Sequence, residues 1–264
     1  MADTLIRYEV EDGVAIFTID DPPANTYTHE MMRDLDDAIL KARFDEGVHV
    51  IVIRGAGEKF FSAGANISML QNSDPYFKYF FCLHANETLN RLEQTPKLVI
   101  GALNGHTVGG GLEIALAADL RIARKGAGKI GLPEVNLGVL PGTGGTQRLG
   151  RLLGKSKAIE LMVEGRTFGF DEALELGLVN KVFEGDDAEF FAQVMEYAKE
   201  FTPPHKASRA VGRIKRAVCS GIEVPFSEGL ALERELQQLL FQGADAKEGL
   251  AAYIEKRPAE FTGK

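Results

Sequence analysis

The chain has 264 residues, 45% hydrophobic and 26% charged, which allows one large core or two small ones. A net charge of −8 and a pI near 5.3 argue against a general nucleic-acid or anionic-membrane surface, and no run approaches 18 consecutive apolar residues, as a transmembrane helix would need. Cys82 and Cys219 lie far apart with no CxxC or Cys/His spacing, so they are read as packing residues of a reducing compartment. The opening MADTLIRYEVEDG lacks the apolar core of a secretory signal and the acid-poor character of a transit peptide. A cytoplasmic location is therefore expected.

In chain order, β-rich runs at Val14–Ile19, Val48–Ile53, Leu98–Leu103 and Leu178–Val182 read as strands. Residues 29–43, 83–93 and 156–164 repeat apolar side chains every three or four positions, the helical period. The alternation predicts α/β layering, with helices covering the strands. From about Asp186 the strand signals stop, and four helical segments are expected at 187–201, 205–219, 225–241 and 246–256. Breaks at Thr202-Pro203-Pro204, Pro225 and Gly243 separate them. A boundary near residue 201 divides an α/β body, 1–201, from a helical tail, 202–264.

The chemistry concentrates where charge is scarce. In NGHTVGGGLEIALAA, from Asn104 to Ala118, Glu113 is the only ionisable side chain besides His106. In IGLPEVNLGVLPGTGGTQ, from Ile130 to Gln147, Glu134 stands alone. An unpaired carboxylate removed from water costs several kcal/mol or shifts its pKa upward, so two such positions, 21 residues apart by subtraction, suggest acid/base work in one cleft. Three stretches then lead from small residues into helices. They are EKFFSAGANISML from Glu58, the Gly109-Gly110-Gly111 run, and PGTGGTQR from Pro141. Two unpaired amides at such helix starts, brought together, would form an oxyanion hole.

Other features read as structural. Gly150 to Ser156 (GRLLGKS) is one residue short of a P-loop, and the run from Gly142 has Gln147 where a dinucleotide fingerprint needs glycine. The five histidines show no metal spacing, and no GxSxG elbow is present. His106 is expected to make a structural hydrogen bond. Tyr76, Phe77, Tyr79, Phe80 and Phe81 follow a loop bearing Pro75; they read as helix packing, or as walls that select a branched, cyclic or medium-length acyl chain. Lys206, Arg209, Arg213 and Arg216 form a solvated face, opposite an apolar face of Ala210, Val211, Ile214 and Ala217.

The segments FFSAGANI, NGHTVGGGLEIALAADLRIA, LPEVNLGVLPGTGGTQRL and GRTFGFDEALELGLVNKV resemble, in order and spacing, the crotonase superfamily, and specifically enoyl-CoA hydratase. The resemblance covers nearly the whole chain. It implies a crotonase-type spiral of ββα units with a C-terminal helical trimerisation region, assembled as a homotrimer or homohexamer. It also implies an acyl-CoA thioester substrate, with no metal or other cofactor and no nucleic-acid or membrane partner. By the same resemblance, the amides of Ala65 and Gly110 match the oxyanion hole, Glu113 the water-activating carboxylate and Glu134 the proton donor to C2. Gly142 matches an amide that helps hold the water or the loop. Ala63, Ala65 and Ile67 match the adenine-recognition segment, and Lys256 a tail position that approaches CoA phosphates. Asn66 departs from the family's usual Asp, which implies a local hydrogen-bond change without loss of activity. The expected reaction is hydration of a trans-2-enoyl-CoA to a 3-hydroxyacyl-CoA. Rivals are a Δ3,Δ2-enoyl-CoA isomerase, a hydrolase, a hydratase for branched or cyclic acyl groups such as methylglutaconyl-CoA, and an RNA-binding or structural paralogue.

Overall fold

A computed structural model describes residues 4–264; the first three residues of the N-terminal segment lie outside it. The chain winds in repeated turns. It begins with β1 (Ile6–Glu11), β2 (Val14–Ile19), β3 (Thr26–Tyr27) and α1 (His29–Phe44), then β4 (Val50–Gly55), β5 (Phe60–Ser62), β6 (Gly64–Ala65), α2 (Ile67–Asn72) and α3 (Pro75–Glu93). Next come β7 (Leu98–Leu103), β8 (His106–Val108) and α4 (Gly110–Leu116), followed by β9 (Leu120–Arg124), β10 (Lys129–Gly131), a 3-10 turn at Glu134–Leu137, α5 (Gly145–Leu153) and α6 (Lys155–Val163). The remaining elements are β11 (Thr167–Gly169), α7 (Phe170–Glu175), β12 (Lys181–Phe183), α8 (Asp187–Lys199), α9 (Ser208–Gly221), α10 (Phe226–Phe241) and α11 (Ala244–Glu255).

The middle turns of the chain, β4-β5, β7-β8 and β9-β10, each add one strand to the larger sheet and then one to the smaller. The larger sheet has the order β1-β2-β4-β7-β9-β12, parallel except for the β1–β2 hairpin. The smaller has the order β11-β10-β8-β5, with β5, β8 and β10 parallel. A two-stranded pair, β3-β6, stands apart. The inner strands β2, β4 and β7 are buried on both faces, hence their largely apolar runs, whereas the edge strand β1 is mostly exposed. Side chains alternate between two cores: Ile51, Ile53, Val99 and Leu103 face the core beneath α1, α3 and α4. Val50, Val52, Leu98 and Ile100 meet Phe190, Val194, Met195 and Ala198 of α8.

Four sequence readings need correction. Leu178 and Val179 are buried but precede the strand, because both amides donate to the Ala173 carbonyl at the end of α7, 2.8 and 3.1 Å away; the ladder starts at Lys181. The strand expected from Val48 begins at Val50. The helix read from residue 83 starts at Pro75, where Asp74 accepts from the Phe77 amide and proline occupies the first turn, a position that suits its missing N–H. In α9, Ile214 and Val218 are exposed while Lys215 is buried. Its inner face is Ser208, Gly212 and Lys215, since a Cβ at Gly212 would lie 2.0 Å from the Pro96 carbonyl and only glycine permits that approach. Lys215 Nζ then reaches Asp119 at 2.9 Å and the Lys97 carbonyl at 3.0 Å. The boundary proposed near residue 201 falls between α8, which lies on the sheet, and α9.

Candidate active site

The site is built around the start of α4. The three glycines there are each required by a close approach. A Cβ at Gly110 would fall 1.8 Å from the Tyr27 ring, and one at Gly111 would fall 2.2 Å from the Ser62 carbonyl. Gly109 has φ +55°, and its Cβ would sit 3.1 Å from Glu134 Oε1, so the backbone itself forms the floor beneath that carboxyl. The β6 strand joins at the same point: Gly64, at φ +86°, would carry a Cβ 2.8 Å from the Gly110 amide nitrogen. Pairing of Tyr27 with Ala65, and a 3.0 Å bond from the Ala63 amide to the Ala24 carbonyl, fix that loop. Ala63, Ala65 and Gly110 are thereby gathered at one place. The amides that open an α-helix lack intrahelical partners, and Gly110 is the first residue of α4.

Glu113, one turn along α4, is 1% exposed, and its carboxylate lies at the start of α5. Oε1 accepts from the Thr143 and Gly145 amides, both at 2.8 Å, and Oε2 accepts from the Thr143 hydroxyl. A Cβ at Gly145 would come within 3.0 Å of Oε1, which explains glycine at that position. Burial pushes the Glu113 pKa up; the Thr143 hydroxyl, the two amides and the Arg148 charge oppose it. Arg148 is itself tied to Asn90 at 2.8 Å and Glu93 at 3.0 Å. Glu134, half-buried in its 3-10 turn, is held differently. Its Oε2 is buried with no hydrogen-bond partner among the described residues. Burial, with a smaller contribution from Glu113, raises its pKa to about 7, although a backbone hydrogen bond opposes the rise.

The loop between the carboxyls carries Gly142, whose Cβ would meet Cys82 Sγ at 3.2 Å. Cys82 thus packs against this loop, and burial followed by the Glu113 charge raises its thiol pKa. Tyr27 and Phe81 stack at 5.4 Å between ring centroids, so the buried end of the aromatic cluster reaches the site while Tyr76 and Tyr79 remain exposed. His106 Nδ1 accepts from the Lys129 amide at 3.1 Å, a structural bond. Asn66 caps α2, accepting from the Met69 amide at 3.0 Å; both Asn and Asp serve this role. Ile67 is exposed beside it. Lys256 is not gathered with these residues: it ends α11, whose main packing partner is α10. Tyr27, Thr143, Gly145 and Cys82 escaped the sequence reading because each makes its contact across at least 30 residues of chain. The PGTGGT segment was the only local signal.

The sequence model of the enoyl-CoA hydratase/isomerase family matches residues 9–264. A probable enoyl-CoA hydratase of Bacillus subtilis is 37% identical over 98% of this chain and 99% of its own. A short-chain-enoyl-CoA hydratase of Clostridium acetobutylicum is 39% identical over 96% and 95%. Among solved structures, an enoyl-CoA hydratase from Geobacillus kaustophilus superposes with a TM-score of 0.95 at 46% identity, covering 100% of this chain and 98% of the other. The chain belongs to the enoyl-CoA hydratase/isomerase family and has the crotonase fold.

Proposed function

We propose that the protein is an enoyl-CoA hydratase that adds water syn across the C2–C3 double bond of a trans-2-enoyl-CoA. The supporting observation is the contrast between two carboxyls, Glu113 held by three donors at the start of α5 and Glu134, over Gly109 at the start of α4, with a pKa raised to about 7. The thioester oxygen accepts from the Ala65 and Gly110 amides, which draws electrons from C3 toward C2; such a donor contributes about 10²–10³ in rate. Glu113 takes a proton from the water as its oxygen bonds to C3. Glu134 delivers its proton to C2, and proton exchange resets the pair. The Gly142 amide helps hold the water. No electrons are transferred overall, so the reaction needs no redox cofactor; the two amides take the carbonyl-polarising role a metal would otherwise fill, and CoA arrives as part of the substrate. A Δ3,Δ2-isomerase manages with one carboxylate and leaves Glu134 without a task.

At the CoA end, the Ala63–Ile67 backbone receives the adenine, and Lys256 approaches the phosphates from α11, within one subunit or from a neighbour. Ile214, Val218 and Ile222 recur every four residues along α9 and are exposed, as is Phe226 at 82%. We assign this stripe to a homotrimer or hexamer interface. Among the described residues no helix is long and apolar enough to cross a membrane, and we place the enzyme in the cytoplasm. The test is loss of the conjugated-thioester absorbance of crotonyl-CoA. An enzyme inert toward crotonyl-CoA and longer, branched and cyclic enoyl-CoA esters would refute the reading.

A further inference from the structure

Thr143 and Tyr27 take no part in the steps above, yet they complete the surroundings of Glu113. The Thr143 hydroxyl has one hydrogen, and it points to Glu113 Oε2. Its oxygen lies 3.4 Å from the Tyr27 hydroxyl and is therefore left to accept. The phenol must then be the donor, consistent with burial and the Glu113 charge, which push its pKa up and keep it protonated. Tyr27 cannot swing away: its ring lies on the Gly110 backbone and stacks on Phe81. The result is a one-way chain, Tyr27 O–H to Thr143 O–H to Glu113 carboxylate, in a buried site where successive hydrogen bonds polarise one another. The two amides on Oε1 also favour the ionised form.

We propose that Thr143, backed by Tyr27, is a positioning residue that fixes the Glu113 carboxylate in one orientation and keeps it ionised, ready to accept a proton. The proposal rests on the hydratase reading for its kinetic consequence, but not for its effect on Glu113 itself. Removing a hydroxyl donor while keeping the side-chain shape raises the Glu113 pKa, so the base is lost at a higher pH as acid is added.

The experiment uses Thr143→Val, Thr143→Ser and Tyr27→Phe in the full-length protein. With crotonyl-CoA, Thr143→Val should lose about ten- to a hundredfold in kcat, as expected for deleting a hydrogen bond to a charged group. Its KM should stay nearly unchanged, and the acidic limb of its pH profile should move up by about one unit. Thr143→Ser should recover most of the activity and the original limb. Tyr27→Phe, which removes the longer bond, should cost only about two- to fivefold. In parallel, the Glu113 pKa is measured without turnover by carbon-13 NMR of glutamate-labelled protein, with the resonance assigned from Glu113→Gln. A rise in Thr143→Val that Thr143→Ser reverses supports the proposal even if no enoyl-CoA is hydrated. An unchanged Glu113 pKa in Thr143→Val overturns it, as does a Thr143→Ser variant as impaired as Thr143→Val.

Discussion

Two regions of this molecule bury a charged pair or an isolated charge, and they compensate it in opposite ways. Where α9 docks on the sheet, Lys215 meets Asp119 at 2.9 Å, and Asp119 also accepts from the Val99 amide at 2.7 Å. Full charge is balanced by full charge. At the start of α5, Glu113 has no cation in hydrogen-bond contact among the described residues; two amides and a hydroxyl hold it. Partial charges can stabilise a carboxylate without fixing it as permanently ionised, so the group remains able to take and return a proton. A buried ion pair gives attachment, whereas a buried carboxylate among dipoles gives chemistry.

The sharpest way to break this contrast is to neutralise Glu113 and its neighbour Glu134. Glu113→Gln and Glu134→Gln should each lower crotonyl-CoA hydration by about 10²–10⁴ while circular dichroism stays unchanged; full activity in both variants would sink the mechanism. Asp119→Ala strands the buried Lys215 and should destabilise the fold by about 3–5 kcal/mol in urea titration, with activity per folded molecule preserved. A loss of activity greater than the loss of folded protein would show that the docking pair does more than attach α9.

A smaller effect separates Glu134 from both. Its pKa in the folded state, about 7, lies above the ordinary carboxylate value, so folding favours the protonated form. That stability is present below the unfolded pKa and lost as pH rises through 7. Glu134→Gln should therefore raise Tm at pH 8 and by clearly less at pH 5, a difference readable by calorimetry. The smallest effect is expected at the helix cap. Asn66→Asp should shift stability by less than about 1 kcal/mol and leave kcat within about twofold, because either side chain caps α2.

Much of the fold was legible from residue pattern. The strands at Val14–Ile19 and Leu98–Leu103 and the helix from His29 stand where their periodicity placed them, since doubly buried strands and amphipathic helices leave strong local signatures. Alternation fails for α3, whose first turns carry aromatics on several sides, and for α9, where the buried position is a lysine. In α9, contacts with distant chain overrode the local period, whereas α3 starts where Asp74 caps it and Pro75 fills its first turn. The functional stretches were visible for a similar reason: Glu113 and Glu134 are isolated charges among glycines, a pattern that composition alone makes conspicuous.

The alternating layers, the two carboxyls and the glycines that clear space around them follow from local residue order, because each is written in neighbouring residues. Tertiary structure alone decided that Glu113 would sit on the amides of Thr143 and Gly145, that Tyr27 would lie beneath Gly110, and that Glu134 would be left with a raised pKa. Hydrogen-bond partners and desolvation depend on which distant segments share a few ångströms, and only the folded chain brings residues 27, 65, 110 and 143 to one place.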